Sequence, residues 1–222
     1  MSLILNIDTA LDKALVCLAV NDKPIAHFTN SDQKDHAAWL HNSIARLLKE
    51  QKYTLKDVAA VAVTIGPGSY TGLRVGLAAA KGFCYALNIP LLTIETLTLI
   101  AFAAKGSAED WIVPMIDARR MEVFTAVFDK EMTCIKKPFA VIIDETSFEK
   151  ELIQHKILFC GNGATKANSL IKNDNASFSS SESGVEDLAS LSNTKFINKE
   201  FADIAYVEPF YLKEFYSAVQ KS

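Results

Sequence analysis

The sequence predicts an α/β fold built as two lobes, and three observations carry that prediction. An almost unbroken apolar run at residues 58–65 leads into the loop GPGSYTG at 66–72 and then into a helical pattern at 73–87. Strand, glycine loop and helix make a crossover unit, the building block of parallel sheets. The length, 222 residues, exceeds the roughly 150 residues of an average domain. Residues 105–110 are polar and contain Gly106, which divides a lobe at 1–105 from a second at 106–222, the last segment being free to return to the first lobe.

The elements follow from pattern. Residues 3–7, 14–20 and 24–28 are short apolar runs broken at Asp12-Lys13 and Asn21-Asp22, and they predict a three-stranded meander. The period then changes: Ala37, Leu40, Ile44, Leu47 and Leu48 share one face of a helix at 36–51, with Ser31, Asp32 or Asp35 as its cap. Residues 58–65 suit a central strand covered on both faces, because β-branched residues and alanine leave no polar side to turn to water. A short strand at 91–93 and a helix near 96–104 complete the first lobe. Strands are expected in the second lobe at 111–116, 122–128, 139–143 and 157–160, and a short helix at 147–154. The Ser/Asn-rich stretch 168–198 reads as loop, short helix at 185–191, loop, with Ser183 and Glu186 spaced as a capping box. No internal repeat is visible.

Half of the residues are hydrophobic, ample for a core, and the net charge is −3. The first lobe carries ten Lys/Arg against eight Asp/Glu (+2) and the second thirteen against eighteen (−5), so neither half has the basic stripe of a dedicated nucleic-acid binder. Cys17, Cys84, Cys134 and Cys160 form no C-x-x-C pair, which argues against a zinc knuckle or redox dithiol and for buried thiols in a reducing compartment. The N-terminus reads as a strand rather than a signal peptide, and the most apolar stretch, 86–104, is interrupted by Asn88, Pro90 and Glu95. A cytoplasmic location without membrane contact is expected.

Candidate chemistry centres on the glycine loop. Glycines there expose backbone N–H groups, and the helix behind adds more, with Ser69 or Thr71 as cap. The loop lacks both the Gly-Lys-Ser/Thr ending of a phosphate loop and the G-x-G-x-x-G spacing, so it reads either as a tight structural turn or as a weak ligand contact, with Gly66, Gly68, Ser69 and the strand-end Asp8 as cofactor-binding candidates. Arg74 sits unfavourably in the first helical turn and reads either as compensated by an acidic residue, a partner or an anion, or as solvated at negligible cost. Gly72, Gly76 and Ala80 recur every four residues, which suits close packing on the chain's own sheet or on another subunit. With Leu40, Ile44, Leu47, Arg74 and Phe83 they make the candidate interface. Asp117, Arg119, Arg120 and Glu122 alternate in sign and read as a mutual surface network. His36 and His41 lie five apart, on different helical faces, and His27 and His155 have no partner nearby in sequence, so no metal or catalytic constellation is expected.

Two segments, ILNIDTA at 4–10 and the block 63–97 running through GPGSYTGLRVGLAAAKG, resemble the TsaB family, and IDARRMEVF (116–124), GNGA (161–164) and EPFYLK (208–213) follow in the family's order. The resemblance implies an actin-like ATPase (ASKHA) fold of two lobes, each on an RNase H-like motif. It implies a non-catalytic scaffold and activator for threonylcarbamoyl transfer to adenosine 37 of tRNA, with TsaD and TsaE as partners, a homodimer in isolation, and tRNA met only through the complex. It implies no cofactor of its own and leaves room for ATP or ADP at a shared interface. Arg120 and Met121 depart from the family's Met and Gly, Phe124 from its Tyr, and Asn162 from its common Asp. The competing classes are an ATP-dependent transferase or metallopeptidase-like enzyme of the glycoprotease superfamily, and a small-molecule kinase of the same superfold.

Overall fold

The computed structural model describes residues 2–32, 36–179 and 182–213, and the account below concerns these. Ten strands form two five-stranded sheets. The first contains β1 (Leu3–Asp8), β2 (Ala14–Val20), β3 (Lys23–Asn30), β4 (Val58–Gly66) and β5 (Leu91–Glu95), in the order β3-β2-β1-β4-β5. The second contains β6 (Trp111–Asp117), β7 (Glu122–Asp129), β8 (Cys134–Ile142), β9 (Ile157–Cys160) and β10 (Ala176–Ser179), in the order β10-β9-β6-β7-β8.

The second sheet repeats the first. In each, strands one, two and three form an antiparallel meander, and strands four and five lie parallel to strand one. A helix precedes the fourth strand in both (α1, His36–Glu50; α4, Glu149–Leu152) and another precedes the fifth (α2, Tyr70–Leu87; α5, Ala164–Leu170). A third follows the fifth strand (α3, Thr96–Ala104; α6, Val185–Ile197). This repeat of strand order is not visible in the sequence. Strands such as LILNID and WIVPMID share an apolar pattern and a terminal Ile-Asp but little else, and a burial pattern is all that sheet order requires.

The helices set the layers. One face of the first sheet (Leu5, Ile7, Val16, Leu18, Val61, Val63) packs on Leu40, Ile44 and Leu47 of α1 and Leu77 and Ala80 of α2. Its other face (Ile4, Cys17, Ala60, Ala62) packs on Val185, Leu188 and Ala189 of α6. Helix α3 follows the first sheet in sequence yet lays Leu97, Ile100 and Ala101 on Ile112, Ile116 and Phe128 of the second. Each sheet therefore takes a helix from the other half of the chain across the middle. The outer face of the second sheet is covered by Leu152, Ala164 and Ala167. Burial on both faces explains the unbroken apolar run of β4.

Several boundaries differ from expectation. The Ser/Asn-rich stretch holds a strand and a full helix, because β10 pairs in parallel with β9 and α6 buries an apolar face. Ser183 is not the cap of α6; Gly184 is, and its N–H donates to Asp187 Oδ2 at 2.8 Å. The cap proposed at Asp35 for α1 lies outside the described residues. Cys17, Cys84 and Cys160 are buried, but Cys134 is exposed on the edge strand β8. Residues 198–213 return to the first sheet: Ala202 N–H donates to Leu91 O at 2.8 Å, and Phe210 N–H to Ile65 O at 2.7 Å. That return covers the otherwise open β5 edge. No described helix is long and apolar enough to cross a membrane.

Candidate functional site

The ends of β1 and β6 face each other across a cleft of about 810 Å³ between the sheets. The repeat holds there residue by residue. Asp8 Oδ1 accepts from Ala10 N–H at 3.0 Å, and Asp117 Oδ1 accepts from Arg119 N–H at 2.6 Å, an Asx turn at the tip of each first strand. A glycine loop closes on each: Ser69 N–H donates to Ala10 O at 2.7 Å, and Gly163 N–H to Met115 O at 3.0 Å.

The first glycine loop is spent on the chain itself. A Cβ at Gly68 would overlap Ala10 O, one at Gly72 would overlap Thr9 O, and one at Gly76 would overlap Thr9 Oγ1. Gly66, at φ +118°, lies against Phe210 O of the returning strap. Ser69 is the N-cap of α2, its Oγ accepting Gly72 N–H at 3.3 Å; a cap of this kind is worth about 1 kcal/mol. Asp8, the strand-end carboxylate, also accepts Thr64 Oγ1–H at 2.7 Å. The candidates Asp8, Gly66, Gly68 and Ser69 are thus brought together in one packing motif, with Gly68 and Ser69 also lining the cleft. Among the described residues no three His, Cys, Asp or Glu side chains converge. This donor set does not fit the metal-bound nucleotide of an actin-like ATPase site.

Among the described residues Arg74 pairs with no carboxylate. Its Nε donates to Tyr211 Oη at 3.0 Å and its guanidinium lies 4.1 Å from the centre of the Tyr70 ring, which stacks on Tyr211 at 4.9 Å. The hydrogen bond to Tyr211 pushes the Arg74 pKa further up. Tyr211 belongs to the motif EPFYLK, whose apolar character predicted an ordered return but not this role.

The charged cluster on the β6–β7 turn is rearranged relative to expectation. Asp117 pairs with Lys166 at 2.6 Å and Glu122 with Lys213 at 2.5 Å, rather than with the arginine side chains. Partial burial opposes ionisation of Asp117, but the Lys166 and Arg119 hydrogen bonds outweigh it and hold its carboxyl below the usual range. Lysines from α5 and from the strap lie 49 and 91 positions away, a separation no local pattern reveals.

Most of the candidate interface faces inward. Leu40, Ile44 and Leu47 are core residues, and Gly72, Gly76 and Ala80 turn to the first sheet. The correction has a simple cause: the small residues let α2 approach its own β1 end closely, with Thr9 Oγ1 donating to Gly72 O at 2.7 Å. Arg74 is exposed, and Phe83 is half-buried beside His41 with ring centres 5.8 Å apart. The outward stripe of α2, missed in the sequence, is Arg74, Ala78, Gly82 and Tyr85; Tyr85 is 85% exposed and a Cβ at Gly82 would meet nothing within 4 Å.

With this geometry in view, the comparisons with known proteins decide the family. The family model described as "TsaD: tRNA N6-adenosine threonylcarbamoyltransferase" matches residues 24–214. This chain belongs to that family. Several curated relatives carry the TsaB name, and the resemblance read from the motifs is borne out. It is 32% identical to the "tRNA threonylcarbamoyladenosine biosynthesis protein TsaB" of Bacillus subtilis over 56% of this chain and 54% of that protein. Against the TsaB of Buchnera aphidicola subsp. Schizaphis graminum it is 27% identical over 78% of this chain and 83% of the relative. Against that of Escherichia coli it is 30% identical over 58% and 55%. The chain thus spans about half the length of the Bacillus and Escherichia relatives. The solved structure of YeaZ from Pseudomonas aeruginosa superposes over 96% of this chain and 100% of that one, with a TM-score of 0.81 at 24% identity, which establishes a shared TsaD-related α/β fold.

Proposed function

We propose that this chain is a non-catalytic scaffold and activator subunit for threonylcarbamoyl transfer to adenosine 37 of tRNA, working in the cytoplasm with TsaD and TsaE. The observation that carries this reading, beside the family, is the glycine loop: Gly66, Gly68, Gly72 and Gly76 are filled by the chain's own Phe210, Ala10 and Thr9. A loop packed in that way holds the fold together, a structural use of glycines that needs no ligand. On this reading the two sheets are the lobes of an actin-like ATPase fold, each on an RNase H-like motif, divided near residues 105–106. The shared strand order of the two halves supports it.

The partner surface proposed is the outer side of α1 and α2. Buried Leu40, Ile44, Leu47, Gly72, Gly76 and Ala80 fix how these helices sit, and Arg74, Phe83 and the outward stripe of α2 make the contact. The isolated chain pairs with itself through the same surface, so self-association and TsaD binding compete. Sedimentation of the chain mixed with TsaD tests this: a mixed complex should form at the expense of the homodimer. A chain that stays monomeric and ignores TsaD would refute the proposal.

A further inference from the structure

The returning strap reaches both the exposed side of α2 and the β6–β7 turn of the second sheet. Phe210 is its fixed point: its N–H donates to Ile65 O at 2.7 Å, and its carbonyl oxygen occupies the space beside Gly66. The residues after it span the two halves of the chain. Tyr211 Oη accepts from Arg74 Nε at 3.0 Å, and its ring stacks on Tyr70 at 4.9 Å between centres. The guanidinium of Arg74 lies 4.1 Å from the centre of that same Tyr70 ring, so it is bonded along one edge and backed by an aromatic face. Two residues on from Tyr211, Lys213 Nζ donates to Glu122 Oε1 at 2.5 Å. Glu122 belongs to a larger network, since its backbone carbonyl accepts from Lys166 Nζ at 3.2 Å and Lys166 pairs with Asp117. The Lys213–Glu122 pair keeps 51% of the lysine and 21% of the glutamate side chain exposed, so it can open without unfolding its surroundings. Arg74 is exposed as well.

We infer that residues 210–213 are a latch coupling the β6–β7 turn to the partner surface: the Lys213–Glu122 pair holds the strap, and Tyr211 on the held strap fixes Arg74 in the orientation in which an acidic residue of the partner meets it. The inference rests on the proposed use of α2 as the partner surface. Tyr211, Lys213 and Glu122 are positioning residues, acting on the partner through Arg74. A guanidinium already fixed loses little side-chain freedom when a carboxylate docks on its planar fork, so a closed latch raises affinity without adding a contact. The coupling is reciprocal: an acid seated on Arg74 favours the closed strap and so strengthens the Lys213–Glu122 pair.

The latch is read first without a partner, by NMR of the Arg74 Nε–H in the full chain, the signal being identified by its loss in Arg74→Lys. At neutral pH exchange with water broadens the Nε–H of a free arginine, whereas a bonded one stays sharp. The signal should be sharp in the parent and in Lys213→Arg, which keeps the ion pair. It should broaden in Tyr211→Phe, which keeps the ring and loses the acceptor, and in Glu122→Gln, whose substitution lies in the other half of the chain. Lys156→Gln, which breaks the exposed pair with Glu109, is the control and should leave it sharp. Affinity for TsaD is then measured by sedimentation. Glu122→Gln and Lys213→Gln should each weaken it about two- to fivefold, the range of an exposed ion pair. Tyr211→Phe should weaken it at least as much, and adding Glu122→Gln to Tyr211→Phe should cost nothing further. An Arg74 signal that stays sharp in Glu122→Gln would overturn the inference, as would unchanged TsaD affinity in that variant or losses that add in the double variant. If the parent ignores TsaD, the scaffold reading fails, and the Arg74 signal alone upholds or overturns the latch.

Discussion

Thr9 illustrates how single atoms at the β1 end decide what the glycine-rich helix does. It is fully buried, its hydroxyl donates to Gly72 O at 2.7 Å, and the space beside Gly76 is occupied by that same hydroxyl. Gly76→Ala should therefore destabilise the fold by about 1–3 kcal/mol, the usual cost of overpacking. Thr9→Ala should also destabilise, but the double variant should lose less than the sum, because removing Oγ1 makes room for the new methyl. Additive losses in denaturant titrations of the four proteins would contradict this. The cysteines give a second residue-scale expectation. Burial pushes the thiols of Cys17 and Cys160 up to about 12 and that of Cys84 up to about 11, with Glu186 adding to the effect at Cys17. At pH 8 these thiols are neutral and shielded, so a thiol reagent should label one cysteine of the native chain, the exposed Cys134, and all four after denaturation. Rapid labelling of two or more in the native state would count against the packing described.

Helix α2 was legible as an element, with its Ser69 cap and its link to a central strand, because the signals were local: a glycine loop, an apolar run before it, a 3.6-residue period after it. Which face looked outward was not legible. Gly72, Gly76 and Ala80 fit close packing on the chain's own sheet or on another subunit, and the equally small Ala78 and Gly82 lie one step round the helix. Small residues say that something comes close, and only the sheet's position says what. The same limit hid β10, whose ASFS has little strand character of its own and is held by pairing with β9. Likewise the β6–β7 cluster suggested its own neighbours as partners, and the lysines that actually pair there come from distant elements. The two faces of α2 can be told apart by experiment. Gly82→Leu enters open space and replaces a poor helix former, a gain of up to about 1 kcal/mol, so its melting temperature should not fall while self-association and TsaD binding weaken. Gly76→Leu should instead lose the fold. Sedimentation and thermal melting of both variants check this; unimpaired assembly by a well-folded Gly82→Leu would move the interface off α2.

At the scale of the whole molecule, two copies of one strand order face each other across a cleft, and each copy closes its first strand with an Asx turn and a glycine loop. An exchange of helices ties the halves: α3 crosses to the second sheet, α6 to the first, and the strap at 198–213 runs back along β5 to reach Glu122 through Lys213. In this architecture Gly66, Gly68 and Gly72 let the glycine loop lie directly against the backbone of Phe210, Ala10 and Thr9. On the proposed function, the chain contributes surface rather than chemistry to tRNA threonylcarbamoylation. The most direct test of this is reconstituted formation of threonylcarbamoyladenosine on tRNA, measured with this chain alone, with TsaD and TsaE alone, and with all three, each supplied with threonylcarbamoyl-adenylate. The account predicts no product from the chain alone, little from TsaD and TsaE, and sustained product only when the chain is added in proportion to TsaD. Product from the chain alone, or full activity of TsaD and TsaE without it, would contradict the account.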